Sequence, residues 1–303
     1  MQDLKNQDLD RVLGFTIPSR SARGRIVRLG PVLDEILSAH AYPPAIETLL
    51  AEALTLAALM GATLKDASGQ MTMQAQTKDG AVRLLVVDYK AGELRGYVQY
   101  DAERLAGLPV EPSLFALFGR GYLAITFDLS VTKERYQGIV PLDGASLSEA
   151  AQNYFVQSEQ VPSFVRIAMA RGGDGRLVAG GLFLQHLPEG EVGRERLHVR
   201  LDHPEWEHVA ALGATMHADE LAEPTLPLET LVWRLFNEEQ EVRTLPHVAL
   251  TRGCRCTPEH IRGVIGKFPI DEQREMADAD GTITVDCHFC ARKFLVQVGT
   301  EHA

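Results

Sequence analysis

The placement of the cysteines constrains this chain more than any other feature of its sequence. All four occur near the C-terminus, as Cys254-Arg-Cys256 and, after thirty intervening residues, as Cys287-His-Phe-Cys290. Structural zinc sites prefer four soft, tetrahedrally placed ligands, and two close pairs brought together across a loop supply that set. The spacing therefore predicts a small C-terminal domain in which the four thiolates bind one Zn²⁺.

The second cysteine pair is typical of a zinc knuckle at the tip of a hairpin. Thr282–Asp286 has the pattern of a strand entering the knuckle, Phe294–Val298 that of a strand leaving it, and Asp280-Gly281 supplies a turn before them. His288 lies inside the knuckle and His260 in the intervening loop. We expect both histidines to be exposed side chains rather than ligands.

Three other interpretations of the cysteines are less favoured. Four unrelated buried cysteines would not show paired spacing. A domain held by disulfides alone is disfavoured because a cytosolic chain is kept reduced. A catalytic zinc would keep an open coordination position and usually takes His or Glu as a ligand. Structural zinc is therefore the favoured interpretation.

A structural zinc site of this kind is sensitive to oxidants. Thiolate is the oxidisable form of cysteine, and a disulfide within either pair removes two ligands at once. Structural zinc contributes roughly 10–16 kcal/mol of apparent binding free energy, whereas a typical domain is stable by about 5–15 kcal/mol. Oxidation is therefore expected to unfold the segment from Leu250 to Val298, and a marginal segment resting on it would expose its apolar face.

The composition indicates a soluble cytoplasmic protein. The 303 residues are 45% apolar, carry a net charge of −11 and begin without the basic-then-apolar layout of a signal peptide. The longest apolar stretch, Ala41 to Leu64, contains two prolines and two glutamates and so falls short of a membrane span. An acidic chain repels nucleic acid and anionic membranes unless a basic patch overrides the average. The densest basic stretch, Arg20 to Arg28, is expected to be a solvated surface.

Residues 1–187 are predicted to form an α+β domain with packed helices and a large, mostly antiparallel sheet. Apolar residues recur at helical spacing from Ala45 to Met60, and Ser146-Leu-Ser-Glu149 is a capping box that begins another helix. Turns with Asp79-Gly80 and Ala91-Gly92 separate the first strands, which is typical of hairpins rather than βαβ units. The predicted strands are Gln70–Thr77, Val82–Tyr89, Glu93–Tyr100, Tyr122–Leu129, Tyr136–Val140, Phe164–Ala170 and Leu177–Leu184.

Residues 188–246 are predicted to be a metastable helical linker, and residues 247–303 the zinc-binding redox-switch domain. Two short helical patterns, His203–His217 and Pro227–Phe236, alternate with Pro-, Gly- and Glu-rich breaks. No long periodic core segment appears, so these helices must lie on another surface to bury their apolar faces. Their apolar positions are Trp206, Val209, Leu212, Leu228, Leu231, Trp233 and Leu235.

The cysteine pattern and its surroundings resemble the family of 33-kDa redox-regulated heat-shock chaperones, the bacterial holdases that oxidation switches on. The resemblance rests on C-x-C…C-x-x-C, with Gly253 before the first pair and Val285-Asp before the second. It continues upstream in Gly180-Gly-Leu-Phe-Leu-Gln, in Leu235-Phe-Asn-Glu and in the run from Gln152 to Ser163. It therefore covers essentially the whole chain.

The resemblance implies an ATP-independent holdase, not an enzyme, that binds unfolding proteins and prevents their aggregation under oxidative stress. It implies that the reduced form holds one Zn²⁺ per chain and is inactive. Oxidation would then pair Cys254 with Cys256 and Cys287 with Cys290, release zinc, unfold the linker and yield an active homodimer. Client contacts are carried over only as regions, namely the linker and the adjacent sheet face.

The sequence lacks the features that are typical of three other functional classes. A nucleic-acid-binding zinc ribbon predicts basic residues near the knuckle, but the stretch 271–286 is strongly acidic. A zinc hydrolase or deaminase would carry H-E-x-x-H, or H-x-E paired with P-C-x-x-C, and neither occurs. Gly119-Arg-Gly121, without a third glycine or a βαβ setting, indicates a turn rather than a nucleotide site. A purely structural interaction protein stays open; it would share the zinc but would not respond to oxidants.

Overall fold

The computed structural model describes residues 8–64, 68–131, 133–187 and 203–299. Its strands are β1 (Arg11–Ile17), β2 (Ala22–Leu29), β3 (Gln70–Gln76), β4 (Val82–Lys90), β5 (Glu93–Tyr100), β6 (Tyr122–Leu129), β7 (Glu134–Pro141), β8 (Ser163–Arg171), β9 (Leu177–His186), β10 (Arg243–Thr244), β11 (Val248–Ala249), β12 (Thr251–Arg252), β13 (Thr282–Asp286) and β14 (Lys293–Gln297). Its helices are α1 (Pro31–Leu37), α2 (Pro44–Gly61), α3 (Ala102–Ala106), α4 (Leu114–Phe118), α5 (Leu147–Tyr154), α6 (Pro204–Ala214), α7 (Ala218–Ala222), α8 (Leu228–Phe236), α9 (Pro258–Ile265) and α10 (Ile270–Met276).

Two six-stranded sheets organise the fold. Sheet A has the order β10-β1-β2-β9-β8, with β11 also paired to β1, and sheet B has the order β12-β5-β4-β3-β6-β7. The strands pair antiparallel except for β12, which runs parallel to β5. Strands β13 and β14 form a separate hairpin. The predicted α+β class with extensive antiparallel sheet is confirmed, and the strands are divided between two sheets.

Helix α2 lies between the two sheets and supplies much of the main hydrophobic core. On one side Thr55 and Leu59 lie against Gly181 of sheet A, and on the other Leu50 lies against Gly96 of sheet B. A Cβ atom at either glycine would come within 3.0 Å of these side chains, so the glycines allow the helix to pack closely. By length and composition α2 could cross a membrane, but 72% of it is buried inside the protein, as is typical of a core helix.

Helices α6, α7 and α8, called here the helical layer, cover the other face of sheet A. Their apolar side chains form a second hydrophobic cluster with strands β1, β2 and β9; the rings of Phe236 and Phe15, for example, lie 5.6 Å apart. The expected burial of the helices against another surface is therefore observed. Trp233 departs from the expected apolar face, since its side chain is 66% exposed. Residues 188–202, the first part of the predicted linker, lie outside the described residues.

The expectation that Arg20 to Arg28 forms a solvated surface is wrong. Most of this stretch is strand β2, and Arg28 is completely buried. Its guanidinium group donates to the backbone carbonyl oxygens of Glu220, Leu221 and Leu226 at 3.3, 3.1 and 2.6 Å. Burial lowers the pKa of Arg28 to about 10. Arg28 therefore faces inward, and its hydrogen bonds attach sheet A to the helical layer.

The chain passes from the helical layer to the cysteines along the edges of both sheets. After α8 it pairs with β1 through β10 and β11, and then with β5 through β12. The connecting residue Leu250 is buried. The first cysteine follows β12 after a single glycine, so the position of the cysteines depends on sheet B.

Candidate metal centre

The knuckle that carries Cys287 and Cys290 is a tight turn between β13 and β14. The Cys287 N–H donates to the Arg292 carbonyl oxygen at 2.9 Å, which closes the hairpin. The Cys290 and Ala291 N–H groups donate back to the Cys287 carbonyl at 3.3 and 2.8 Å. Ala291 has the left-handed φ of +54° that reverses the chain. The turn therefore fixes both cysteines by backbone hydrogen bonds, as the sequence pattern predicts.

The first cysteine pair spans the gap between β12 and α9. Before it, the Gly253 N–H donates to the Leu94 carbonyl oxygen of β5 at 2.9 Å. After it, the Thr257 side chain accepts the His260 N–H at 3.1 Å and caps α9. Cys254 and Cys256 are thus held from both ends by secondary structure.

The two pairs come together at one point. The sulfur atoms of Cys254 and Cys256 lie 3.1 Å apart, those of Cys256 and Cys290 3.3 Å, and those of Cys254 and Cys287 3.6 Å. All four sulfur atoms lie within 4.8 Å of one another, and each cysteine is partly buried. The four cysteines are therefore positioned to bind one metal ion.

The electrostatics of the cluster favour a bound cation. Burial raises the pKa of Cys256 and of Cys287. Burial acts in the same direction on Cys290, but the backbone N–H of Arg292 and the neighbouring thiol groups lower the pKa of Cys290 to about 7. Four thiolates this close together repel one another, so their full ionisation needs a compensating positive charge. A set of four sulfur donors fits Zn²⁺.

The two histidines named from the sequence lie outside this sulfur cluster. His260 is an exposed residue in the first turn of α9. His288 is also exposed, as expected, but it makes specific contacts. Its carbonyl oxygen lies 2.9 Å from His40 Nε2, and its ring Nδ1 lies 3.3 Å from Gln99 Nε2.

Contacts between the knuckle and strand β5 were not anticipated from the sequence. The Phe289 ring lies 4.9 Å from the Tyr97 ring in an edge-to-face arrangement, and the Arg95 guanidinium lies over Phe289 at 4.1 Å. Nearby, Arg255 Nη1 donates to the Gln70 side chain at 2.6 Å. Alternation along β5 indicated an exposed face there, but no sequence signal identified the partner of that face.

Comparisons with known proteins agree on one family. The family model described as "Hsp33 protein" matches residues 10–297. A 33 kDa chaperonin of Caulobacter vibrioides is 41% identical over 290 residues, which cover 93% of each chain. One from Pseudomonas fluorescens is 35% identical and covers 95% of this chain and 91% of its own. The crystal structure of the 33 kDa chaperonin (HSP33) from Thermotoga maritima shares the fold, with a TM-score of 0.77 and 23% identity over 95% of both chains.

Proposed function

The chain belongs to the Hsp33 family of chaperones, and we propose on that basis that it is a redox-regulated, ATP-independent holdase of the cytoplasm, not an enzyme. It would bind unfolding proteins and prevent their aggregation under oxidative stress. The observation that carries this proposal is the four-sulfur cluster, which is attached to sheet B through β12 and through the knuckle. In this proposal residues 1–187 are the core domain, residues 188–246 a metastable linker and residues 247–303 the redox switch.

The reduced, inactive form would hold one Zn²⁺ per chain through Cys254, Cys256, Cys287 and Cys290. The ion, when bound, supplies the positive charge that keeps all four thiols ionised and joins the two cysteine pairs. The four side chains therefore have two roles. Through the metal they hold the two cysteine pairs of the C-terminal segment together, and they present thiolates to an oxidant.

Oxidation would form the disulfides Cys254–Cys256 and Cys287–Cys290. A peroxide is a suitable oxidant: one thiolate of a pair attacks the O–O bond and becomes a sulfenic acid, while the other oxygen leaves as hydroxide or alkoxide. The second thiolate then displaces the sulfenic hydroxyl group and forms the S–S bond. Each pair gives up two electrons, so two equivalents of peroxide would remove all four ligands and release the zinc.

The packing of the helical layer supports a route from the cysteines to exposed apolar surface. The layer is attached to sheet A by Arg28, and it is followed in the chain by β10, β11 and β12, which lead directly to Cys254. If the cysteine segment unfolds, β12 loses its anchor, and the C-terminal end of the layer is then restrained only by the short strands β10 and β11 on β1. Separation of the layer would expose the cluster that includes Phe15 and Leu184.

The partners of the active form would be unfolded or partly unfolded proteins and a second copy of this chain. Homodimerisation is implied by the family resemblance. The net charge of −11 supports the absence of nucleic-acid and membrane partners. The linker and the sheet face beneath it are the regions proposed for client contact.

Light scattering of a heat-unfolding client protein tests the proposal. The chain is added either reduced and zinc-loaded or after treatment with peroxide, at equal concentration. We expect only the oxidised sample to suppress aggregation. Equal behaviour of the two samples would contradict redox regulation, and it would leave the metal cluster in place as a structural feature.

A further inference from the structure

The outer face of strand β5 carries a preformed binding site for an aromatic ring. Arg95, Tyr97 and Gln99 alternate along the strand on the face opposite the core, and they are called here the β5 site. Phe289 of the knuckle occupies the part formed by Arg95 and Tyr97, with Arg95 over its ring and Tyr97 at its edge. The neighbouring His288 ring lies 5.2 Å from the Tyr97 ring, and its Nδ1 lies 3.3 Å from Gln99 Nε2. Cation–π and edge-to-face contacts are two of the ways in which proteins hold an aromatic ring at a surface.

The Arg95 guanidinium group is held in place by the strand next to β5. Asp88, on the neighbouring strand β4, is 3% exposed and accepts from Arg95 Nε at 2.7 Å and from Arg95 Nη2 at 2.5 Å. Asp88 is itself fixed by the Thr72 hydroxyl group, which donates to it at 2.7 Å. The guanidinium plane is therefore oriented by sheet B and not by Phe289. A site that does not depend on its occupant stays formed when the occupant leaves.

The surface beside the site continues across sheet B as a row in which three apolar side chains flank one polar side chain. The strand register places Val86 opposite Tyr97, then Gln74, Ala124 and Ile139 in line across the sheet. Ile139, at the far edge, is 59% exposed. An extended polypeptide could therefore place one aromatic side chain in the β5 site and lay apolar neighbours against Val86 and Ile139, which are the accessible apolar side chains of this row.

The occupant comes from the segment whose fold depends on the cysteines. Phe289 lies between Cys287 and Cys290, so any change in the bonding of these two cysteines alters the turn that aims its ring. As long as the turn is intact, Phe289 competes as a tethered ligand, and tethering gives an effective concentration of about millimolar or more. A single aromatic side chain of another protein cannot displace such a competitor at cellular concentrations.

We propose that the β5 site binds aromatic side chains of unfolded polypeptides, and that Phe289 is an internal stand-in that blocks it in the reduced protein. This inference rests on the proposed function, since it names a chemical class of client group and a place where it binds. Unfolded chains expose phenylalanine, tyrosine and tryptophan that folded proteins bury. Oxidation would vacate the β5 site by disrupting the knuckle.

The test uses the full-length chain, reduced and zinc-loaded, with zinc content measured in every sample. The probe is a fluorescein-labelled Gly/Ser peptide with three phenylalanines, and its match carries alanine at the same positions. We expect Phe289→Ala to bind the phenylalanine peptide at least about tenfold more tightly than the unsubstituted chain in fluorescence anisotropy. The alanine peptide should show no gain.

Two further variants assign the gain to the β5 site. Phe268→Ala makes the same change at a partly exposed phenylalanine of the same segment and should leave peptide binding unchanged. Adding Tyr97→Ala to Phe289→Ala should abolish the gain. If Phe289→Ala loses zinc, Phe289→Leu serves in its place, because leucine keeps an apolar side chain in the turn but removes the ring.

The inference is overturned if Phe289→Ala gives no gain, if Phe268→Ala gives the same gain, or if the gain survives Tyr97→Ala. Its failure is distinguishable from failure of the proposed function. Suppression of aggregation by the oxidised chain without any peptide gain would keep the holdase and reject the β5 site. A peptide gain without suppression of aggregation by the oxidised chain would keep the β5 site and reject the holdase.

Discussion

The core around α2 and the C-terminal cysteine segment are each stabilised by different interactions. Around α2, both sheets contribute to one continuous hydrophobic cluster that includes Leu54, Leu85 and Phe183. In the segment from Cys254 to Gln297, called here the metal module, the corresponding cluster consists of Ile265, Ile283 and Val296, with a few partly buried neighbours. Burial stabilises roughly in proportion to apolar area, so we expect the first region to be stable by itself and the second to depend on its four cysteines.

The difference explains how a single chain could contain both a rigid scaffold and the switch that we propose. A region stabilised by many apolar contacts loses only part of its stability when any one is removed, whereas a region stabilised by one metal site loses its structure in one step. The helical layer lies between these two cases in the way it is stabilised. It is packed on sheet A through a real hydrophobic cluster, but it is also held by polar contacts such as those of Arg28 and Glu239.

The largest expected effect is that of removing one metal ligand. Cys287→Ser should abolish stable zinc binding and unfold the metal module, because structural zinc contributes about 10–16 kcal/mol to such folds. Hydrogen exchange measured by mass spectrometry should show loss of protection across β13 and β14, with β3 and β4 still protected. Retention of one tightly bound zinc per chain in this variant would contradict the four-ligand assignment.

The next largest effect is expected within the helical layer. Phe236→Ala removes a ring that is 1% exposed and packs against Phe15, which should destabilise the layer by about 3–5 kcal/mol. Limited proteolysis of the reduced protein should then cleave within α6 to α8, as it should in the oxidised parent chain. The matched control is Trp233→Ala on the same helix, whose side chain is 66% exposed and whose loss should leave cleavage unchanged. Equal cleavage of both variants would contradict the packing of this helix on sheet A.

A smaller effect is expected for the polar attachment of the layer. The Glu239 side chain is 3% exposed; it accepts from Arg20 Nε at 2.9 Å and lies 2.8 Å from His208 Nε2. Glu239→Gln weakens both contacts and should cost about 1–3 kcal/mol in local stability. Urea-induced opening of the layer, followed by tryptophan fluorescence, measures this cost. Glu241→Gln, at an exposed carboxylate that pairs with Arg243, should leave the transition unchanged; a comparable shift would assign the effect to net charge.

The smallest expected effect is a pH dependence of the same attachment. Burial would raise the pKa of Glu239, but its hydrogen bonds with Arg20 and His208 hold that pKa below the ordinary value of 4.5. Because the folded-state pKa is the lower one, the stabilisation is fully present above about pH 4.5 and is lost as the pH falls through the folded value. The difference in stability between the parent chain and Glu239→Gln should therefore shrink between pH 5 and pH 3. A constant difference over this range would show that the charge of Glu239 contributes nothing.

The sequence was sufficient for features that depend on neighbouring residues. The spacing of the four cysteines predicted a cluster, and their sulfur atoms meet within 4.8 Å. Periodicity placed α2 and most strands to within a few residues, because alternation and helical spacing are local properties. It missed β1 and β2. In β2 the arginines at positions 23, 25 and 28 lie among apolar residues, so that the stretch was interpreted as a charged surface.

The tertiary structure alone decided what these elements touch. Arg28 meets carbonyl groups about 190 residues further along the chain, and Phe289 meets Arg95 and Tyr97 across a similar distance. Such contacts depend on the order of the strands in each sheet and on which distant segments pair, as β12 does with β5, and no local pattern encodes either of these. The chemistry of the cysteine cluster thus follows from spacing in the sequence, whereas its connection to sheet B follows from how distant strands are brought side by side.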